Sequence, residues 1–172
     1  MADATRVSGP EVEPLGADRP RWPWLTGTAL SVVGLGVSAY LTYEHYTGST
    51  SLACPTGGAG SLINCAKVTT SPWSMWFGIP VALLGLVYFV VMVPLQSPWA
   101  WRATATAVRA GRVAWCVVGL ASALRLVYYE LYRVRAICEW CTSVHVITFV
   151  LFVITIFGTV ATSSLASPEQ DS

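Results

Sequence analysis

The chain has 172 residues, 54% of them hydrophobic and only 11% charged, against roughly 25% charged in an ordinary soluble domain. Ten Lys and Arg stand against nine Asp and Glu for a net charge of +1, so the basic stripe that nucleic-acid binding requires is missing and that class of function is excluded. Lipid is the implied solvent, in keeping with eight Trp and seven Tyr gathered near the ends of apolar runs, where amphipathic rings favour the headgroup zone.

Residues 1–22 carry Asp3, Glu11, Glu13, Asp18 and three prolines without the apolar centre of a cleavable signal peptide, and read as a disordered cytoplasmic tail. Four apolar stretches follow, each near the roughly 20 residues that a helix rising about 1.5 Å per residue needs to cross a bilayer. They run about Trp24–Tyr46, Trp76–Leu95, Val113–Tyr132 and Cys141–Thr162. Lipid leaves no partner for unpaired backbone groups, so each is expected to be helical. The expected fold is an all-α integral membrane bundle of four transmembrane helices over 23–163, with an outer cysteine loop over 47–75 and a short cytoplasmic tail over 164–172.

Arg6, Arg19, Arg21, Arg102, Arg109 and Arg112 lie on one side of these spans, and Lys67, Arg133 and Arg135 on the other. That asymmetry places both termini in the cytoplasm and the 47–75 loop outside, in an oxidising compartment. Glu44 and His45 end the first span, where a solvated or capping role is expected. Arg125, two turns before the outer end of the third span, is expected to snorkel beside Tyr128 and Tyr129.

Four of five cysteines fall on the outer side. Cys138-Glu139-Trp140-Cys141 is a C-x-x-C at a helix start, where orphan N–H groups and the helix dipole favour a thiolate. Cys54 and Cys65 bracket a Gly- and Pro-rich loop able to present one cysteine to a partner and the other to Cys138. Two pairs in series make a redox relay. Two fixed structural disulfides, or a tetrathiolate zinc site, use the same four residues, although the spacing of Cys54 and Cys65 is longer than zinc half-sites use. Cys116, among valines in the third span, reads as an inert packing residue. His145 lies one helical turn beyond Cys141 on the same face, placed to hydrogen-bond a bound acceptor and to deliver a proton.

The segments LACPTGGAGSLINCAKVTTS and AICEWCTSVHV, with Trp73 and Phe77-Gly78 between them, resemble the vitamin K epoxide reductase family, its actinobacterial disulfide-generating members in particular. The likeness extends from Trp24 to about Phe157. It implies a thiol:quinone oxidoreductase of the bacterial cell membrane that reoxidises a separate extracytoplasmic thioredoxin-fold (DsbA-like) protein and reduces a quinone, menaquinone or a relative, without a metal. On this resemblance Cys54 takes electrons from the partner, Cys65 exchanges with Cys138, and Cys141 meets the quinone. Ser71 supports the site, and Trp73, Phe77, His145 and Leu126 contact the quinone. Reduction of vitamin K quinone or its epoxide as the physiological product, or a disulfide-stapled interaction protein, are the alternatives.

Overall fold

A computed structural model describes residues 21–48, 54 and 62–164, the last three without their side chains. Nearly all of the expected tails, and the loop between Gly48 and Leu62 apart from Cys54, lie outside these residues. Helix α1 (Trp22–Thr47) starts on Pro23, whose missing N–H falls where a helix has no use for it, and ends on Gly48 in the left-handed region at φ 60°. A short α2 (Cys65–Thr69) and a 3-10 turn (Pro72–Ser74) lead to a two-stranded hairpin, β1 (Met75–Trp76) and β2 (Ile79–Pro80). Then come α3 (Val81–Gln96), α4 (Pro98–Arg102), α5 (Thr106–Tyr128), a π-helical turn (Tyr129–Val134) and α6 (Glu139–Ser164).

Among the described residues, three stretches are long and apolar enough to cross a membrane: Trp22–Thr47, Thr106–Val134 and Glu139–Ala161. The second expected span differs most from its expectation. Trp76–Pro80 is a hairpin rather than the start of a helix, which leaves α3 with 16 residues, about 24 Å of axis. Phe77 (φ 51°) and Gly78 (φ 81°) both adopt positive φ between the paired Trp76 and Ile79, the geometry of a tight two-residue turn. Pro80 then opens the helix. The apolar run continues across all of this, so composition alone does not mark the break.

Helix α1 packs chiefly on α3 because its inner stripe is small: Gly27, Ser31, Gly34 and Ser38 are all buried at helical spacing. A Cβ on Gly34 would overlap the ring of the fully buried Phe89, so only glycine lets the two helices approach this closely. Phe89 in turn packs with Tyr88, Met92, Cys116 and Leu151 in the central core. Outward faces carry exposed Val33, Val90, Val117, Leu124, Phe149 and Phe157, which lipid would cover. At the end opposite the cysteines, the Gln96 amide donates to Thr155 Oγ1 at 2.7 Å and accepts from the Trp101 indole at 2.9 Å, a buried polar layer with its hydrogen bonds made.

Candidate active site

Cys54, Cys65, Cys138 and Cys141 gather at one end of the bundle, where α1 and the π turn finish and α6 begins. Cys54 and Cys65 are joined in a disulfide, while Cys138 and Cys141 are free thiols. Two backbone hydrogen bonds bring the pairs together. Asn64 N–H donates to the Ile137 carbonyl at 3.0 Å and Ile137 N–H to the Leu62 carbonyl at 2.9 Å, so Ile63 bridges Ile137 in parallel. Cys65 follows that bridge on one strand and Cys138 on the other. Both are fully buried in one cluster with Val68, Val134 and Ala136, against which Cys54 and Cys141 pack. The Asn64 side chain accepts from Lys67 N–H and starts α2 immediately at Cys65.

Cys138 occupies the position just before α6 and behaves as a sulfur cap. Its Sγ accepts the N–H of Cys141 at 3.3 Å, and its carbonyl accepts both the N–H and the hydroxyl of Thr142. The hydrogen bond from the Cys141 thiol is the main reason its own thiol lies below the ordinary value; burial and the nearby Glu130 work in the other direction and lose. Cys138 is thus the thiol of the pair that lies below the ordinary value, with the Cys141 thiol a larger cause than the helix start.

Cys141 opens onto an apolar cavity of about 480 Å³ between α1, α3, α5 and α6, roofed by the 3-10 turn and hairpin. Of the residues singled out in the sequence, Ser71, Trp73, Leu126 and His145 also line it. Ser71 donates to the Val68 carbonyl at 2.9 Å and accepts Ser74 N–H, which folds the roof. Trp73 stacks on Tyr129 with 4.9 Å between ring centroids. His145 keeps a buried Nδ1 with no hydrogen-bond partner. Phe77 is placed elsewhere: it is 91% exposed at the hairpin tip and outside the lining, where Trp76, stacked against it, takes the inward position. Trp76 stands in β1, whereas Phe77 belongs to the two-residue turn at φ 51°, so the two neighbouring aromatics are directed differently.

Several residues of the cavity stand outside the sequence expectations. Tyr88 lines it from α3 with a buried, unpartnered hydroxyl. Its only sequence signal is a lone tyrosine inside an apolar run. His45, expected to be solvated or capping, is half-buried and lines the wall from α1, and Glu44 beside it is buried. Arg125 keeps to the tyrosines, donating to the Tyr129 hydroxyl at 3.3 and 3.2 Å, and also lies 4.4 Å over the Trp76 ring. Glu130, 7% exposed, lines the cavity from the π turn. Cys116 is fully buried on Thr155 and apart from the site.

An apolar cavity rimmed by a thiol and holding two buried, unpartnered polar groups, His145 Nδ1 and the Tyr88 hydroxyl, suits a flat apolar ring with carbonyl oxygens. Among the described residues no cluster of three or more His, Cys, Asp or Glu side chains could hold a metal ion.

The profile of the vitamin K epoxide reductase family matches residues 23–156. The chain is also 37% identical over 60 residues to the thiol-disulfide oxidoreductase LTO1 of Arabidopsis thaliana; the match covers 35% of this chain and 15% of that much longer protein.

Proposed function

The chain belongs to the vitamin K epoxide reductase family, and from that footing we propose that it is a membrane thiol:quinone oxidoreductase that generates disulfides outside the cytoplasm. The plant relative's description as a thiol-disulfide oxidoreductase supports this class of reaction. In this reading α3, extended by the hairpin and 3-10 turn, completes a fourth crossing. Both termini lie in the cytoplasm, and the cysteines face an extracytoplasmic thioredoxin-fold, DsbA-like protein. Electrons enter at Cys54, cross from Cys65 to Cys138 and leave through Cys141.

The observation that carries the proposal is the Ile63–Ile137 bridge, which seats Cys65 and Cys138 in one dry cluster while Cys141 opens on the cavity. A closed loop pair beside an open inner pair is the arrangement left after Cys65 has attacked the inner disulfide and passed its two electrons inward. A quinone, of the menaquinone type or a relative, would supply the two-electron acceptor when bound. Cys141 would face it, His145 Nδ1 and the Tyr88 hydroxyl would reach its oxygens, and Trp73 with Leu126 would hold the ring and exclude water. Cys138, whose thiol lies below the ordinary value chiefly through the hydrogen bond from the Cys141 thiol, would close the disulfide with Cys141.

The test is a trapped intermediate. A Cys54→Ser/Cys141→Ser double variant leaves Cys65 and Cys138 as the two site cysteines, and mild oxidation of the purified protein should join them in one disulfide, mapped by peptide mass. Persistence of two free thiols under oxidation that closes the wild-type pairs would refute the path.

A further inference from the structure

At the cysteine end the exposed charges are positive and the negative ones are withdrawn. Segment 47–75 carries a single charged residue, Lys67, and the π turn with its connection to α6 adds Arg133 and Arg135. All three are exposed. Among the described residues the acids of this end are Glu44, Glu130 and Glu139; the first two are each 7% exposed and the third is half-buried. Two arginines in so short a connection run against the bias that keeps Lys and Arg on the cytoplasmic side of a membrane. If this end is extracytoplasmic, its cations call for a use there.

Packing brings the three around one pair of sulfurs. Val68 and Val134 lie in the buried cluster of Cys65 and Cys138, against which Cys54 packs. Lys67 is the neighbour of the first valine, and Arg133 and Arg135 flank the second. The Asn64 side chain accepts Lys67 N–H at 2.9 Å and so fixes Lys67 in the turn that begins at Cys65. Arg133 is held over the Trp73 ring at 5.4 Å. The Cα atoms of Cys65 and Cys54 are 5.8 Å apart. Cys65 is 1% exposed and Cys54 half-buried, so Cys54 is the sulfur of the pair that an incoming thiol reaches.

We propose that Lys67, Arg133 and Arg135 form a docking surface for an acidic face of the protein dithiol that reduces the Cys54–Cys65 disulfide. The choice of a dithiol protein as the partner rests on the oxidoreductase reading. Each transfer opens the Cys54–Cys65 S–S bond and closes one on the donor, and the two thiol protons of the donor pass to Cys54 and Cys65. The attacking species is a thiolate, which a cationic surround favours as it approaches. The loop between Cys54 and Cys65 has no charge of its own with which to select a donor. Complementary charge around it would do so by raising the rate of encounter.

The experiment times reduction of the loop pair in the full-length protein, held in phosphatidylcholine nanodiscs, by two synthetic C-x-x-C dithiol peptides flanked by runs of Asp or of Lys. Each rate is referred to the same peptide's rate on a small neutral disulfide. At low salt the Asp peptide should be about tenfold faster than the Lys peptide on wild type, and the preference should vanish near 1 M salt, where the screening length is about 3 Å. Lys67→Gln/Arg135→Gln leaves Arg133 on Trp73 and should lower the ratio severalfold. Lys67→Arg/Arg135→Lys keeps the charge and should keep the ratio, which a role in folding the loop would not require. Equal rates for the two peptides on wild type, or a ratio that the Gln variant leaves unchanged, overturn the proposal. Phosphatidylglycerol retained by wild type and lost from the Gln variant in native mass spectrometry, with no preference between the peptides, gives the surface to lipid headgroups and overturns it too. An Asp preference in a protein that reduces no quinone upholds the docking surface and overturns the function proposed above; quinone turnover without that preference does the reverse.

Discussion

Replacing Arg125 with methionine isolates what holds the roof over the cavity. The Arg125 guanidinium lies 4.4 Å from the Trp76 ring of the hairpin and 5.3 Å from the Tyr129 ring of its own helix. Only the first contact ties the roof to the wall. A cation over an aromatic face at an exposed site is worth about 0.5–1 kcal/mol, so Arg125→Met, which retains an apolar stem, should weaken closure by about 1 kcal/mol. That corresponds to a roughly fivefold rise in the open population. Amide hydrogen exchange read by mass spectrometry on peptides covering Met75–Ile79 should quicken by that factor, while α6 peptides stay unchanged. Arg133→Met should act in the same direction through Trp73, over which Arg133 lies at 5.4 Å. Unchanged hairpin exchange in Arg125→Met would refute the clamp; an equal rise throughout the bundle would mean that the arginine supports the fold instead.

Gly34→Ala should lower the thermal midpoint in detergent by an amount matching about 1–3 kcal/mol, since the added methyl meets the buried Phe89 ring and the α1–α3 contact has no slack; a midpoint at or above wild type would contradict that packing. Cys138 predicts a pH dependence with a definite sign. Its thiol lies below the ordinary value in the folded dithiol protein, so the stability this lends is fully present above the ordinary thiol value and is lost as pH falls through the lowered one. Melts of the dithiol protein across about pH 6 to 9 should therefore show the wild-type advantage over Cys138→Ala growing with pH, and a flat or opposite trend would exclude a stabilised thiolate. Cys116→Ser should leave quinone reduction at the wild-type rate, because the residue sits on Thr155 in the core away from the cavity.

Where a residue's place in the cavity follows from its position along a helix, the sequence displayed it. The C-x-x-C at the start of α6 and His145 one turn beyond Cys141 are cases of this kind, because capping and the 3.6-residue repeat are local rules. Residues set by tertiary contact were hidden. Tyr88 and Glu130 reach the cavity only through the packing of α3 and the widening of α5 by a π turn, and hydrophobicity carries no mark of that widening. The hairpin was hidden for a related reason: Met75, Trp76, Phe77, Ile79 and Pro80 are as apolar as the helix they precede. Its one signal was Phe77-Gly78 ahead of a proline, which offers φ > 0 and a helix start within four residues. Phe77, which the resemblance implied as a quinone contact, consequently sits at the hairpin tip, and Trp76 lines the cavity.

In the proposed relay electrons cross two cysteine pairs in a fixed order on their way to a quinone. Its most direct test is quinone absorbance during turnover by purified wild type, Cys54→Ala and Cys141→Ala, with a reduced thioredoxin-fold protein and, separately, dithiothreitol as donor. Turnover should be lost in Cys141→Ala with either donor, and in Cys54→Ala chiefly with the protein donor. Full turnover in Cys141→Ala, or a wild type that keeps both pairs unchanged and reduces no quinone, would contradict it.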